Sequence, residues 1–325
     1  EGAEGMKVAV MGAGAFGTAL AIALARDGAP VGLWARDAGQ AAMIRKAREN
    51  ARYLPSCRLP DSVTVSAEMD GLSAAQITLV TVPMRAVGVL LAGLPDRPGR
   101  VIVACAKGID LDRGEGVSAI MARCAPDAAH AVLTGPSFAT DIARGLPTAL
   151  TLACVDDGTG SMLQSALSTP VLRLYRTTDV AGAEMGGALK NVIAIAAGVV
   201  IGSGLGDSAR AAVTTRGFAE MVRFATQRGA QAETLAGLSG LGDLVLTCTS
   251  PQSRNFRYGL ALGSGQGFDP AITVEGAGTA RAVSEIAARD GTDMPVCTMV
   301  ADLIDRRVGL EEAVRALLSR PLRKE

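Results

Sequence analysis

The run Val8-Ala-Val-Met11, the cluster Gly12-Ala13-Gly14-Ala15-Phe16-Gly17 and the stretch from Thr18 to Arg26 read as strand, tight turn and helix. The cluster has the spacing G-x-G-x-x-G. A turn without Cβ atoms lets backbone N–H groups at the helix N-terminus approach a pyrophosphate and meet its negative charge. The chain holds 39 glycines, so spacing alone decides little. The setting decides more: Val31-Gly-Leu-Trp-Ala35 supplies a second strand and completes a βαβ unit, the context in which this spacing binds a dinucleotide. Gly12, Gly14, Ala15 and Gly17 are therefore candidate cofactor contacts.

The residue just after the second strand selects between cofactors. An Asp or Glu there accepts hydrogen bonds from a ribose 2′-hydroxyl, whereas an arginine offers a planar fork to a 2′-phosphate. The position is Arg36, so NADP(H) is expected to be preferred. Asp37, one residue on, keeps NAD(H) possible.

At 325 residues the chain exceeds the usual size of a single core, and two domains are expected. Only 3% of residues are aromatic, and 32 basic residues balance 32 acidic ones. That composition gives neither stacking surfaces nor a net field, which argues against nucleic acid or an anionic membrane as partner. The longest apolar stretch, Val192 to Leu205, is too short to span a bilayer and reads as a buried core helix. Glu1 to Gly5 has neither a basic n-region nor an apolar h-region, so no secretory signal is read there, and Met6 is the expected start. Six cysteines (57, 105, 124, 154, 248 and 297) form no C-x-x-C pair, which fits reduced core thiols in a cytoplasmic protein and no metal site.

Strand-like runs recur at residues 63–65, 77–82, 101–105, 131–134, 148–155 and 171–175, with helical segments between many of them. This alternation predicts a mainly parallel, doubly wound sheet with ligands beyond the carboxyl ends of its strands. Three loops there carry unusual chemistry: Thr81-Val-Pro-Met84, Ala106-Lys-Gly108 and Thr134-Gly-Pro-Ser-Phe138. From residue 179 the apolar spacing turns helical, as in Leu189, Val192, Ile193 and Ala196. The expected fold is α/β: a Rossmann-type doubly wound sheet domain over residues 6–178, followed by an all-helical substrate domain over 179–325.

Thr134-Gly-Pro-Ser-Phe-Ala139, Lys190-Asn-Val-Ile-Ala-Ile-Ala-Ala-Gly198, Gly240-Leu-Gly-Asp-Leu-Val-Leu-Thr-Cys-Thr249 and Gln252-Ser-Arg-Asn255 come after the glycine cluster in that order. Together they resemble the bacterial NAD(P)-dependent glycerol-3-phosphate dehydrogenase family, over residues 6 to 320. The resemblance implies interconversion of dihydroxyacetone phosphate and sn-glycerol 3-phosphate, which supplies phospholipid synthesis. A cytoplasmic homodimer acting on a small phosphorylated triose is expected.

Ketone reduction needs a hydride, a proton for the developing alkoxide and donors that stabilise its charge. The single histidine, His130, sits just before an expected strand and reads as a surface residue. Lys190 stands alone in an apolar helix, where it either snorkels out or is held in a site. The small residues before it suggest close backbone approach. In the family the matching lysine donates and accepts the proton, which requires its pKa to fall by burial and by a second cation, for which Lys107 is the candidate. Lys107 is placed by the resemblance against both substrate and cofactor. Asp243, between two glycine-rich turns, either caps a helix or, as the resemblance implies, contacts substrate or orients Lys190.

Ser253, Arg254 and Asn255 form a compact donor set suited to a phosphate dianion. The resemblance adds Gly135 and Ser137 as substrate contacts, and Ala139, Glu275, Phe16, Tyr53 and Arg254 as cofactor contacts. Val200-Ile201-Gly202 and Ser208 depart from the family pattern, with an altered loop or subunit contact expected there. A related reductase of 2-keto or 3-hydroxy acids and a non-catalytic NADP(H) sensor are the competing readings. The phosphate donors argue against the first, and the retained Lys190, Lys107 and Asp243 against the second.

Overall fold

A computed structural model describes residues 7–95, 97–110 and 113–318; the expected start at Met6 and the residues before it lie outside these. The chain divides into two compact units, one of residues up to 106 with Val117–Val180, the other of Lys107–Gly116 with the residues from Ala181 onward. The second unit thus begins at Ala181 rather than at residue 179. It also takes a segment that comes after a sheet strand, which no periodicity in the sequence assigns to it.

Among its described residues the first unit carries ten strands: β1 (Val8–Met11), β2 (Val31–Trp34), β3 (Glu49–Asn50), β4 (Leu54–Arg58), β5 (Val63–Ser66), β6 (Ile77–Val80), β7 (Val101–Ala104), β8 (Ala129–Thr134), β9 (Thr148–Ala153) and β10 (Leu172–Thr177). Eight form one sheet in the order β10-β9-β8-β7-β6-β1-β2-β5, while β3 and β4 make a separate antiparallel pair. All neighbours in the large sheet run parallel except β8 and β9. Central strands such as β1, β6 and β7 are buried at every residue, whereas the edge strand β5 alternates buried Val63 and Val65 with exposed Thr64 and half-buried Ser66. That difference explains why the middle of the sheet reads as continuous apolar runs.

The chain leaves β1 toward β2 and β5, then returns to the other side of β1 at β6. The strand order therefore reverses between β1 and β6, the place where sheets of this kind open a crevice for ligands. The loops after β1 and β6 meet there. His130 lies within β8 rather than before it, because that strand starts at Ala129; its Nε2 is 2.8 Å from the Ala125 carbonyl, a structural contact.

Among its described residues the second unit contains helices and no strand. Its centre is the helix Val180–Gly202, buried along most of its length and packed against Phe224, Leu235, Leu244 and Phe256. The helix starts well before Val192, and at 23 residues it is long and apolar enough to cross a membrane by length and composition, contrary to the expectation from Val192–Leu205. Within its most apolar window 83% of the residues are buried, the environment of a core helix. Leu205 falls beyond its end. Val200 and Ile201 are helical residues, and Val200 is fully buried in the core, so the altered loop expected there is not found at these two positions. Close packing against the helix Arg254–Gly263 depends on glycine: a Cβ on Gly259 would stand 2.0 Å from the Ile195 carbonyl oxygen.

Candidate active site

The glycine turn is built by three separate constraints. Gly12 has φ +132°, outside the range of residues with a side chain, and hands its carbonyl to the Thr81 hydroxyl at 2.9 Å across the β1–β6 crevice. Gly17 lies on the helix Ala15–Leu24 where a Cβ would meet the Gly12 oxygen at 2.0 Å, so only glycine lets helix and strand pack. Gly14 differs, since nothing lies within 4 Å of the space its Cβ would fill. It is also the N-cap of that helix, with no side chain capping it and no acidic residue in the first turn. The positive end of the helix is thus left open to an anion, and the turn fits a dinucleotide pyrophosphate.

Two polar side chains that sequence reading missed hold this turn in place. Asn50, almost fully buried, donates through Nδ2 to the Ala13 carbonyl at 2.9 Å and to Thr18 Oγ1 at 2.8 Å, and Gln40 Nε2 donates to the same carbonyl at 3.0 Å. Asp37 caps the next helix, its Oδ1 accepting the Gln40 N–H at 2.6 Å. One acceptor of the residue that would receive a ribose hydroxyl is therefore engaged, while Arg36 is exposed beside it. Phe16 is half-buried against the core of this unit. Tyr53 is exposed, with the Arg52 guanidinium 5.1 Å from its ring centre. Gly135 is buried at φ +134° just after β8, the Ser137 hydroxyl donates to its carbonyl at 3.2 Å, and Ala139 opens the helix Ala139–Arg144.

In the helical unit two lysines converge on one carboxylate. Lys190 Nζ donates to Asp243 Oδ1 at 2.6 Å, and Lys107 Nζ to Asp243 Oδ2 at 2.6 Å. Lys190 also donates to Thr247 Oγ1 at 2.7 Å, and that hydroxyl in turn donates to the Asp243 carbonyl at 2.6 Å. Gly186 explains how the helices come close enough: a Cβ there would stand 2.6 Å from the Ser239 oxygen. One helical turn further along each chain lie Lys190 and Asp243. Lys190 does not snorkel, being 7% exposed, and Asp243 at 1% exposure spends its carboxylate on the lysines instead of capping a helix.

Burial pulls the Lys190 ammonium down to about 8; Asp243 resists the fall and the positive charge of Lys107 adds to it. Burial pushes the Asp243 carboxyl up, but the charges of Lys107 and Lys190 outweigh it and hold the group below the ordinary carboxylate value. Cys248 beside them is pushed up to about 12 by burial, so it offers no thiolate near neutral pH. Two ammonium groups on one carboxylate leave an excess positive charge, which suits an anionic substrate and a developing alkoxide.

The third grouping is at the start of the helix Arg254–Gly263. Ser253 is its N-cap, Oγ accepting the Phe256 N–H at 3.2 Å, and Arg254 is exposed in its first turn. Asn255 ties three helices together. Its Nδ2 donates to Asn191 Oδ1 at 2.9 Å and its Oδ1 accepts the Gly276 N–H at 3.0 Å, so the neighbours of Lys190, Arg254 and Glu275 meet at one node. Thr247 and Asn191 were both missed. The i,i+4 spacing of Asp243 and Thr247 was a signal for the first, and adjacency to Lys190 for the second.

The family model for the N-terminus of NAD-dependent glycerol-3-phosphate dehydrogenase matches residues 7–159, and the model for its C-terminus matches residues 179–315. The chain belongs to this family. It is 58% identical over 321 residues to the glycerol-3-phosphate dehydrogenase [NAD(P)+] of Ruegeria sp. (strain TM1040), covering 98% of this chain and 100% of that one. It is likewise 58% identical over 323 residues to the protein of the same name from Paracoccus denitrificans (strain Pd 1222), with the same coverage. Among solved structures, glycerol-3-phosphate dehydrogenase from Coxiella burnetii matches with a TM-score of 0.90 at 35% identity, covering 96% of this chain and 98% of that one. The glycine turn and the Lys107–Asp243–Lys190 cluster thus sit in a dehydrogenase family whose curated members use both nicotinamide cofactors.

Proposed function

We infer that the chain interconverts dihydroxyacetone phosphate and sn-glycerol 3-phosphate with NAD(P)H, as its family does, and so supplies glycerol 3-phosphate for phospholipid synthesis. The observation that carries the chemistry is the pair of lysines on Asp243. A bound nicotinamide supplies the hydride that reduces the ketone carbon. Lys190 in its ammonium form gives a proton to the ketone oxygen, and in its amine form takes one from the C2 hydroxyl in the reverse direction. Asp243 keeps both lysines in place, and Lys107 adds positive charge beside the reacting oxygen. Arg254 receives the substrate phosphate, with Asn255 fixing its backbone and Ser253 adding a hydroxyl. Gly135 and Ser137 serve as further substrate contacts.

Gly12, Gly14, Ala15, Phe16 and Gly17 hold the dinucleotide, with Tyr53, Ala139, Glu275, Lys107 and Arg254 as further contacts. Arg36 gives NADP(H) the advantage. The protein works as a cytoplasmic homodimer. The test is to mix purified protein with NADPH and dihydroxyacetone phosphate and monitor loss of the reduced nicotinamide. Unphosphorylated dihydroxyacetone should be turned over far less efficiently; equal efficiency would overturn the substrate assignment.

A further inference from the structure

Lys107 reaches Asp243 from a strap, Lys107–Gly116, by which the chain enters the helical unit and then leaves it again. Several contacts fix this strap within that unit. Ile109 is 5% exposed and belongs to the helical core. At Gly114 a Cβ would stand 3.1 Å from Cδ1 of Ile286. The strap also closes on itself, Asp110 N–H donating to the Glu115 carbonyl at 2.8 Å and Gly114 N–H to the Asp110 carbonyl at 2.9 Å.

Its last residue is the informative one. A Cβ on Gly116 would fall 1.2 Å from Oε1 of Glu184, so the Glu184 carboxylate occupies the space of the missing side chain. Gly116 is not in the left-handed region, and its backbone does not demand glycine. Glu184 is what demands it. This glutamate lies on the same helix as Lys190, is 6% exposed and is not without a partner, so leaving the slot would disrupt an existing buried interaction. Burying a carboxylate is costly unless it is bonded in place.

We propose that Glu184 is a positioning residue: seated in the slot left by Gly116, its carboxylate fixes the end of the strap and thereby where Lys107 meets Asp243. The proposal rests on the reading of Lys190 as the acid and Lys107 as its companion cation. The titratable groups facing Lys190 are Asp243, Lys107 and Cys248, and of these Lys107 alone is carried by the strap. Displacing the strap withdraws a positive charge from Lys190 and leaves Asp243 to raise its pKa.

The test is an NMR titration of lysine side chains labelled with carbon-13 at the ε position in the ligand-free protein. Lysine occurs only at positions 7, 46, 107, 190 and 324, so the Lys190 signal can be assigned by its loss in Lys190→Met. Gly116→Ala should raise the Lys190 pKa by roughly one unit. Adding Glu184→Asp, one methylene shorter, should return it toward the original value. Glu184→Ala, which empties the slot without a clash, should also raise it. A folded Gly116→Ala or Glu184→Ala protein with an unchanged Lys190 titration would overturn the proposal. Failure of both variants to fold would assign the slot to stability alone and overturn it equally. The titration uses neither substrate nor nucleotide, so its failure is distinct from a failure to reduce dihydroxyacetone phosphate.

Discussion

Lys190 Nζ and Asp243 Oδ1 lie 2.6 Å apart, between side chains that are 9% and 1% exposed. A buried pair of this kind is weak support for stability, because desolvation of both groups offsets most of their attraction. Its presence at the convergence of two lysines therefore reflects what the site does. Asp243 confines the ammonium groups and holds the proton on Lys190 against the burial and the Lys107 charge that pull it toward release.

That balance sets the pH dependence. Reduction needs Lys190 charged, so its rate at saturating substrate should fall as pH rises through about 8, whereas oxidation of glycerol 3-phosphate needs the amine and should rise through the same value. Stability moves differently. Below about 8 Lys190 is charged in folded and unfolded chains alike and its burial penalty is carried in full; between about 8 and 10.5 only the unfolded chain holds the proton, so folding gains stability as pH rises. Asp243 contributes stability that is present above 3.8 and is lost as pH falls through its lower folded value. Rates in both directions between pH 6 and 10 check the first claim, and opposite limbs that fail to cross near 8 would remove Lys190 from the acid role.

Asp243→Asn should be more damaging than its size suggests. The substitution leaves two ammonium groups facing a neutral amide, and removal of one member of a buried ion cluster costs on the order of 3–5 kcal/mol. Lys190 loses the charge that raises its pKa and becomes largely neutral at pH 7, so reduction should fall even in the fraction that stays folded. Denaturant midpoints and single-turnover rates measure the two effects separately. A variant of unaltered stability would show that the cluster is solvated rather than buried.

Much of the fold was legible because its determinants are local. The spacing of Gly12, Gly14 and Gly17 and the apolar runs of β1, β6 and β7 announce the sheet, and the small residues before Lys190 announce a close helix contact. What was not legible depends on long-range partners. Asn50 binds Ala13 from 37 residues away, and nothing in its own neighbourhood marks it. The strap Lys107–Gly116 comes after a sheet strand and carries no helical period, so its place in the second unit depends on Ile109, Asp243 and Glu184. Apolar length alone misjudged the helix Val180–Gly202, because Lys190 and Asn191 interrupt its apolar run.

Arg36 and Asp37 divide the cofactor question between them. With Asp37 engaged as a helix cap and Arg36 exposed after β2, NADPH should bind more tightly than NADH. Arg36→Asp should reduce that preference by about tenfold, or roughly 1–2 kcal/mol, the worth of a charge-assisted phosphate contact at an exposed site. Fluorescence titrations with both nucleotides measure it. Equal affinities in the unaltered protein would refute the argument.

Arg254→Ala should raise the Michaelis constant for dihydroxyacetone phosphate by roughly 2–4 kcal/mol, the loss expected when one charged partner of a phosphate contact is truncated. The Asn255 node lies on the neighbouring residue and should keep the helix in place, so thermal stability should change little, while NADPH binding should weaken to the extent that Arg254 also contacts the nucleotide. An unchanged Michaelis constant would move the phosphate elsewhere.

Lys190→Ala should leave the protein folded and able to bind NADPH, yet lower turnover by about two to four orders of magnitude, the scope of a positioned acid or base. Alanine suits a helix interior, and Asp243 keeps Lys107 as a partner at 2.6 Å, so the carboxylate is not stranded. The void left beside Thr247 is lined by polar groups and can take water. The defect should appear in the chemical step rather than in binding, because the ketone oxygen has lost its proton source while the phosphate contact is intact. Added small primary amines should restore part of the rate, more effectively as their size approaches that of the missing side chain. Near-normal turnover in the folded variant would shift the acid role to Lys107 or to water.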